Sequence, residues 1–147
     1  MTKKTRILVL CTGNSCRSQM AEGLFRHYGS NQIEVYSAGL EPRGINPRAI
    51  QVMHEIGVDI SRHTSDHLSN YLGQAFDYVI TLCDNAAANC PVFPGGRTKL
   101  HWPFADPGEA IGSEAEILRH FRSVRDQIAV RIKAWLSEET GKAISAN

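Results

Sequence analysis

Ile7-Leu8-Val9-Leu10-Cys11-Thr12-Gly13-Asn14-Ser15-Cys16-Arg17-Ser18 passes from four apolar residues, through a short polar stretch, to an arginine. The apolar run reads as a buried strand that ends at a thiol. The polar stretch reads as a tight loop that enters a helix at Arg17. Five residues separate Cys11 from Arg17, and two of them, Gly13 and Asn14, tolerate the positive φ that tight loops demand. Such a loop suits a tetrahedral oxyanion, because its N–H groups converge on the anion and the helix N-terminus adds positive potential. Arg17 has the geometry to clamp two oxygens at once. The same field favours the thiolate form of Cys11, which the Ser18 hydroxyl is placed to stabilise. The expected oxyanion-binding set is therefore Thr12, Gly13, Asn14, Ser15, Cys16, Arg17 and Ser18. Within it, Cys16 is expected chiefly to pack beneath the loop.

Outward from this stretch, strands and helices alternate. The sequence predicts a strand from Arg6 to Cys11 and a helix from about Ser18 to Tyr28, with Met20, Ala21, Leu24, Phe25 and Tyr28 on one face. A second strand follows over Ile33–Ala38. Asn46 caps a helix that opens at Pro47 and stops at Gly57. A short helix is expected from Asp66 to about Gln74, then strands at Asp77–Leu82 and Thr98–Trp102. Ser113 and Glu116 form a capping box for a last helix that carries Ile117, Phe121, Val124, Ile128, Ile132 and Trp135. Alternation with short connections predicts an α/β three-layer sandwich around a four-stranded parallel sheet covered on both faces.

In such sheets ligands bind beyond the carboxyl ends of the strands. Cys11 ends the first strand, Cys83 follows the strand from Asp77, and Asp106 lies past the strand from Thr98. A parallel sheet brings all three to one edge, a convergence that needs no motif. A carboxylic acid beside Cys11 can protonate an oxygen leaving the bound anion. The plainer reading of Asp106-Pro107 is a turn. The histidines His27, His54, His63, His67, His101 and His120 are scattered, and surface or capping roles are expected for them. Arg119, Arg122, Arg125 and Arg131 read as the solvated face of the last helix. Cys83, Cys90 and His101 do not complete a zinc set.

The 147 residues predict one domain, spanning 1–147, with a core of its own. A net charge of +1 argues against a nucleic-acid or membrane surface. No apolar stretch reaches membrane-spanning length and no leader segment is evident, so a cytoplasmic protein is expected. Four cysteines in that compartment read as catalytic or redox groups sooner than as a disulfide framework.

Six motifs resemble one family along nearly the whole chain. They are Cys11 to Glu22 (CTGNSCRSQMAE), Tyr36 to Gly39 (YSAG), His63 to Asp66 (HTSD), Val79 to Cys83 (VITLC), Asn89 to Pro91 (NCP) and His101 to Pro107 (HWPFADP). Together they resemble the low-molecular-weight protein tyrosine phosphatase fold, and the Cys83/Cys90 pair is similar to its thioredoxin-coupled arsenate reductase branch. The resemblance implies that Cys11 attacks arsenate held by Arg17 and the loop, for which phosphate and sulfate are mimics, while Asp106 assists loss of an oxygen. It implies that Cys83 then attacks the Cys11 sulfur, releasing arsenite, and that Cys90 attacks Cys83. The Cys83–Cys90 disulfide passes its oxidation to thioredoxin. No tightly bound cofactor is implied, although a potassium ion can sit near the loop in related reductases, at positions matching Asn14, Ser37, Thr64 and Asp66. Alternatively these four only hold the loop in place by hydrogen bonds. A monomer is expected.

Asp84 or Asn85, three alanines and Pro91 predict a short helix between the two cysteines. Seven residues of helix set two Cα atoms about 10 Å apart, whereas a disulfide needs them within about 7 Å. Forming the bond therefore implies unwinding, with Gly95-Gly96 as a candidate hinge. Two alternatives stay open. A phosphatase of phosphotyrosine or small esters would use the same loop, but the phosphatases usually carry aromatic residues after Asp-Pro, where this chain has Gly108. A non-catalytic oxyanion-binding module would need neither nucleophile nor acid.

Overall fold

The structure, a computed structural model, describes residues 4–83 and 91–146, with the side chains of the last helix described through Glu139. The segment predicted as a helix between Cys83 and Cys90, and Cys90 itself, lie outside the described residues. The elements run β1 (Thr5–Leu10), α1 (Arg17–Gly29), β2 (Ile33–Ala38), α2 (Pro47–His54), β3 (Tyr78–Thr81), β4 (Thr98–His101) and α3 (Glu114–Ala146). All strand pairs are parallel, and the sheet order is β2-β1-β3-β4. β1 is thus central, which suits its continuous apolar run.

Alternate residues of the strands feed two separate cores. Ile7 and Val9 of β1, with Ile33 and Val35 of β2 and Ile80 of β3, pack with α1, α2 and α3. Phe25 lies 6.0 Å from Trp102 and 5.8 Å from Trp135, locking α1 to the β4 end and to α3. Leu8, Leu10, Ala38 and Val79 point the other way, onto Leu68, Phe76 and Phe93. Among the described residues, that second face is covered by turns and loops, not by α-helix.

Helix punctuation follows the sequence closely. The Asn46 side chain accepts from the Arg48 N–H at 2.8 Å, and Gly57 ends the turn after α2 at φ +78°. The capping box of α3 closes through the Glu116 N–H to Ser113 Oγ at 3.1 Å. The expected helix from Asp66 to Gln74 is instead a single 3₁₀ turn, Leu68–Tyr71, capped by His67. Its one buried residue, Leu68, is too little apolar face to hold a longer helix, and Gly73 at φ +84° breaks it. Tyr28 is exposed, one turn beyond the buried face of α1.

Arg125 departs most from expectation. It is buried, donating to the Val52 carbonyl at 2.8 Å and to Glu55 at 2.9 Å, and so pins α3 to the end of α2. Arg122 also pairs with Glu55, whereas Arg119 and Arg131 are exposed. Arg125→Ala leaves the Val52 carbonyl unpaired, and a loss of about 1–3 kcal/mol is expected in urea unfolding.

Candidate active site

The carbonyl oxygens of the Cys11–Ser18 loop are tied outward one after another. Thr12 O accepts from the Glu41 N–H at 3.0 Å, Gly13 O from Arg43 at 3.0 Å, and Ser15 O from Asn46 at 3.2 Å. Asn14 O accepts from Gln19 Nε2 at 3.1 Å and Ser65 Oγ at 2.9 Å, and Cys16 O from Met20 within the helix. A trans peptide points its N–H opposite to its C=O. Pulling the carbonyls outward therefore biases the loop's N–H groups to its inner side, the concavity an oxyanion needs. Asn14, at φ 45°, supplies the left-handed residue that closes the curve. Gly13 does not adopt positive φ.

Gly39 is the residue on which the loop rests. A Cβ there would lie 2.6 Å from Thr12 O and 2.7 Å from Cys11 O, so only glycine permits the contact. Its N–H donates to Asp66 O and its carbonyl accepts from Leu68, which clamps the 66–68 segment under the loop.

Cys11 is 2% exposed, and its sulfur lies 2.9 Å from Ser18 Oγ. That bond belongs to a buried network. The Asp66 N–H donates to Asn14 Oδ1 at 2.8 Å, fixing the amide. Asn14 Nδ2 then donates to Ser18 Oγ at 2.7 Å and Ser37 Oγ at 2.9 Å. The Ser18 hydroxyl and the Cys11 sulfur share a hydrogen bond at one end of this chain of contacts.

Arg17 is buried, with one terminal nitrogen 3.1 Å from Phe104 O and 3.4 Å from Leu82 O. The other stands 3.5 Å from Asp106 Oδ2. The segments that follow β3 and β4 thereby hold the guanidinium in place. Asp106 is partly exposed and accepts from the Gly108 N–H through Oδ1. Cys83 is buried just past β3, where the Leu82 N–H still pairs with Leu10 O at 2.9 Å, beside the end of β1. The sheet thus brings Cys11, Arg17, Cys83 and Asp106 to one edge. Cys16 joins the apolar core below the loop, and burial, with Asp106 second, pushes its thiol up to about 12.

The four residues considered for potassium form a hydrogen-bonded brace. Asn14 donates to Ser37 and accepts from the Asp66 N–H, while Thr64 Oγ1 donates to Asp66 Oδ2 at 2.7 Å. An oxygen donor set suits such an ion. Here, however, the Asn14 NH₂ faces Ser37 Oγ, and a cation between them requires that bond to break. In this arrangement the four brace one another by hydrogen bonds.

Glu22, Gln19, Ser65 and Gly39 carried no assigned role in the sequence. Glu22 accepts from Ser37 Oγ at 2.6 Å and pairs with Arg26 at 3.0 Å. His63 is half-buried against Gln19 and Glu22, and burial is the main cause that lowers its basicity. The available signal was polar residues at 18, 19 and 22, inside the first turns of a helix that is otherwise apolar where buried.

The family model for low molecular weight phosphotyrosine protein phosphatase matches residues 6–146. The chain is 51% identical over 142 residues to an arsenate reductase of Halalkalibacterium halodurans, which covers 97% of this chain and 100% of that one. A solved structure of an arsenate reductase in the phosphate binding state superposes with a TM-score of 0.77 at 36% identity, over 91% of this chain and 98% of that one. The Corynebacterium glutamicum thioredoxin-dependent arsenate reductase does so with a TM-score of 0.62 at 30% identity, over 90% and 64%.

Two outcomes follow from the loop's construction. Gly39→Ala drives a Cβ into two loop carbonyls, and the Kd for inorganic phosphate, measured by calorimetry, is expected to rise about 10- to 100-fold. Cys16 keeps its proton in the folded chain to about 12 but only to 9.0 as an unperturbed thiol. Folded protein therefore holds the extra proton, and stability contributed by Cys16 is complete below pH 9 and lost as pH rises from 9 toward 12. Urea unfolding of Cys16→Ala against pH should show a shallower alkaline decline than the parent.

Proposed function

The chain belongs to the low-molecular-weight phosphotyrosine protein phosphatase family, and from that premise we propose that it reduces arsenate to arsenite by a thiol relay recharged by thioredoxin. The observation that supports this reading is the second buried sulfur, Cys83, at the edge where Cys11 meets the oxyanion loop. A phosphate-ester hydrolase needs only one. The naming of the relatives as arsenate reductases points the same way.

The thiolate of Cys11 attacks arsenic in arsenate seated on the loop N–H groups and clamped by Arg17. An S–As bond forms and an As–O bond breaks, with Asp106 protonating the departing oxygen as water. Cys83 attacks Cys11 Sγ. An S–S bond forms, the S–As bond breaks, and its electron pair goes to arsenic, which leaves as arsenite. Two thiols have been oxidised and one arsenic reduced by two electrons. Cys90 then attacks Cys83, freeing Cys11 as a thiolate and leaving a Cys83–Cys90 disulfide. Thioredoxin reduces that disulfide, in keeping with the thioredoxin-dependent relative. The relay needs a reducing compartment, so the enzyme is assigned to the cytoplasm, acting as a monomer without nucleic acid or membrane partners. Among the described residues no helix is long and apolar enough to cross a membrane.

Phosphate-ester hydrolysis is the competing chemistry, because arsenate and phosphate share shape and charge. Arsenate-dependent NADPH consumption in the presence of thioredoxin and its reductase is the expected result. Cys83→Ser should abolish that turnover while keeping phosphate binding and any aryl phosphatase activity. Sustained multiple turnover of arsenate by Cys83→Ser would overturn the relay, and aryl phosphate hydrolysis without arsenate reduction would establish the phosphatase.

A further inference from the structure

Arg43 lies against the oxyanion loop from outside the Cys11–Ser18 stretch. Its backbone N–H holds Gly13 O at 3.0 Å. Its side chain folds back over the same residue: a Cβ on Gly13 would stand 3.1 Å from Arg43 Cδ and 3.5 Å from both Nε and NH1. The guanidinium therefore lies over the open side of Gly13. It is 60% exposed and pairs at 3.0 Å with Glu41, itself 68% exposed. The Glu41 N–H in turn holds Thr12 O at 3.0 Å. A cation and an anion thus lie close against the loop on one short segment after Gly39.

We infer that Arg43 is a second arginine of the anion site, a positioning residue that recruits the arsenate dianion to the loop, and that Glu41 tempers it. The inference rests on the arsenate reductase reading for its substrate but not for its electrostatics. The two arginines divide the work by burial. Arg17, tied to the Leu82 and Phe104 carbonyls, is fixed for close bidentate contact. Arg43, solvated and beside Gly13 of the loop, acts through space within a Debye length of the bound anion. Positive charge at a concave mouth raises the local concentration of a dianion and its rate of entry, and salt removes the benefit. Glu41 subtracts from that field, so the pair sets the net attraction by the balance of two exposed charges.

The test uses the full-length reduced protein and inorganic phosphate as the probe, with arsenate turnover alongside. Arg43→Gln should raise the phosphate Kd and the arsenate KM about two- to fivefold at low ionic strength, the range for one exposed charge pair. The difference should shrink toward unity at 0.5–1 M salt, where the Debye length is only about 3–4 Å. Arg43→Lys should recover most of the loss. Glu41→Gln should act in the opposite sense, tightening phosphate at low salt. A purely structural role predicts something else: a salt-independent loss in Arg43→Gln, no rescue by lysine and no gain from Glu41→Gln. That pattern, or unchanged phosphate affinity in all three variants, overturns the inference. If the parent binds phosphate with the expected salt response yet never turns over arsenate, the inference stands and the arsenate reductase reading fails.

Discussion

The outward tether of the loop carbonyls is the constraint from which the site follows. Five successive peptide units, from Thr12 to Cys16, would otherwise be free to present either face to solvent. Donors from three separate places fix them: the segment after β2 supplies Glu41, Arg43 and Asn46, α1 supplies Gln19 and Met20, and the 63–66 segment supplies Ser65. None of these donors needs to touch substrate. Each determines which way a peptide dipole points, and preorganised dipoles cost no reorganisation when charge arrives. The parallel sheet matters because it anchors all of these segments at one edge.

The nucleophile depends on the same fixation at one remove. Asn14 is held by the Asp66 backbone and orients both Ser18 and Ser37. The Ser37 hydroxyl donates to Glu22, and Ser18 faces Cys11. Cys11 is thereby held to Ser18 within a buried network whose other members are fixed in place. Such closure of a buried polar cluster is what makes it rigid.

Strand–helix alternation, the Asn46-Pro47 start, the Ser113/Glu116 box and the thiol at a strand end were all legible in the sequence, because each is a local matter of spacing and capping. Gly39 was legible only as part of a motif: its reason is a close approach to Thr12 and Cys11, distant in sequence and invisible to periodicity. Arg125 and His63 were misjudged for a related cause. A lone charged residue on a helix or loop reads as solvated until its partners, Val52 and Glu55 for the one and Gln19 and Glu22 for the other, are brought to it by the fold. The 66–74 stretch looked helical from local composition but lacked an apolar face to bury, and tertiary context reduced it to one turn.

Arg17 hangs in part from the carbonyl of Leu82, the residue immediately before Cys83. The buried guanidinium of Arg17 and the buried sulfur of Cys83 are therefore joined through a single peptide unit. Whatever displaces that peptide unit displaces a support of the guanidinium as well, so position 82 links two groups that lie far apart in the sequence.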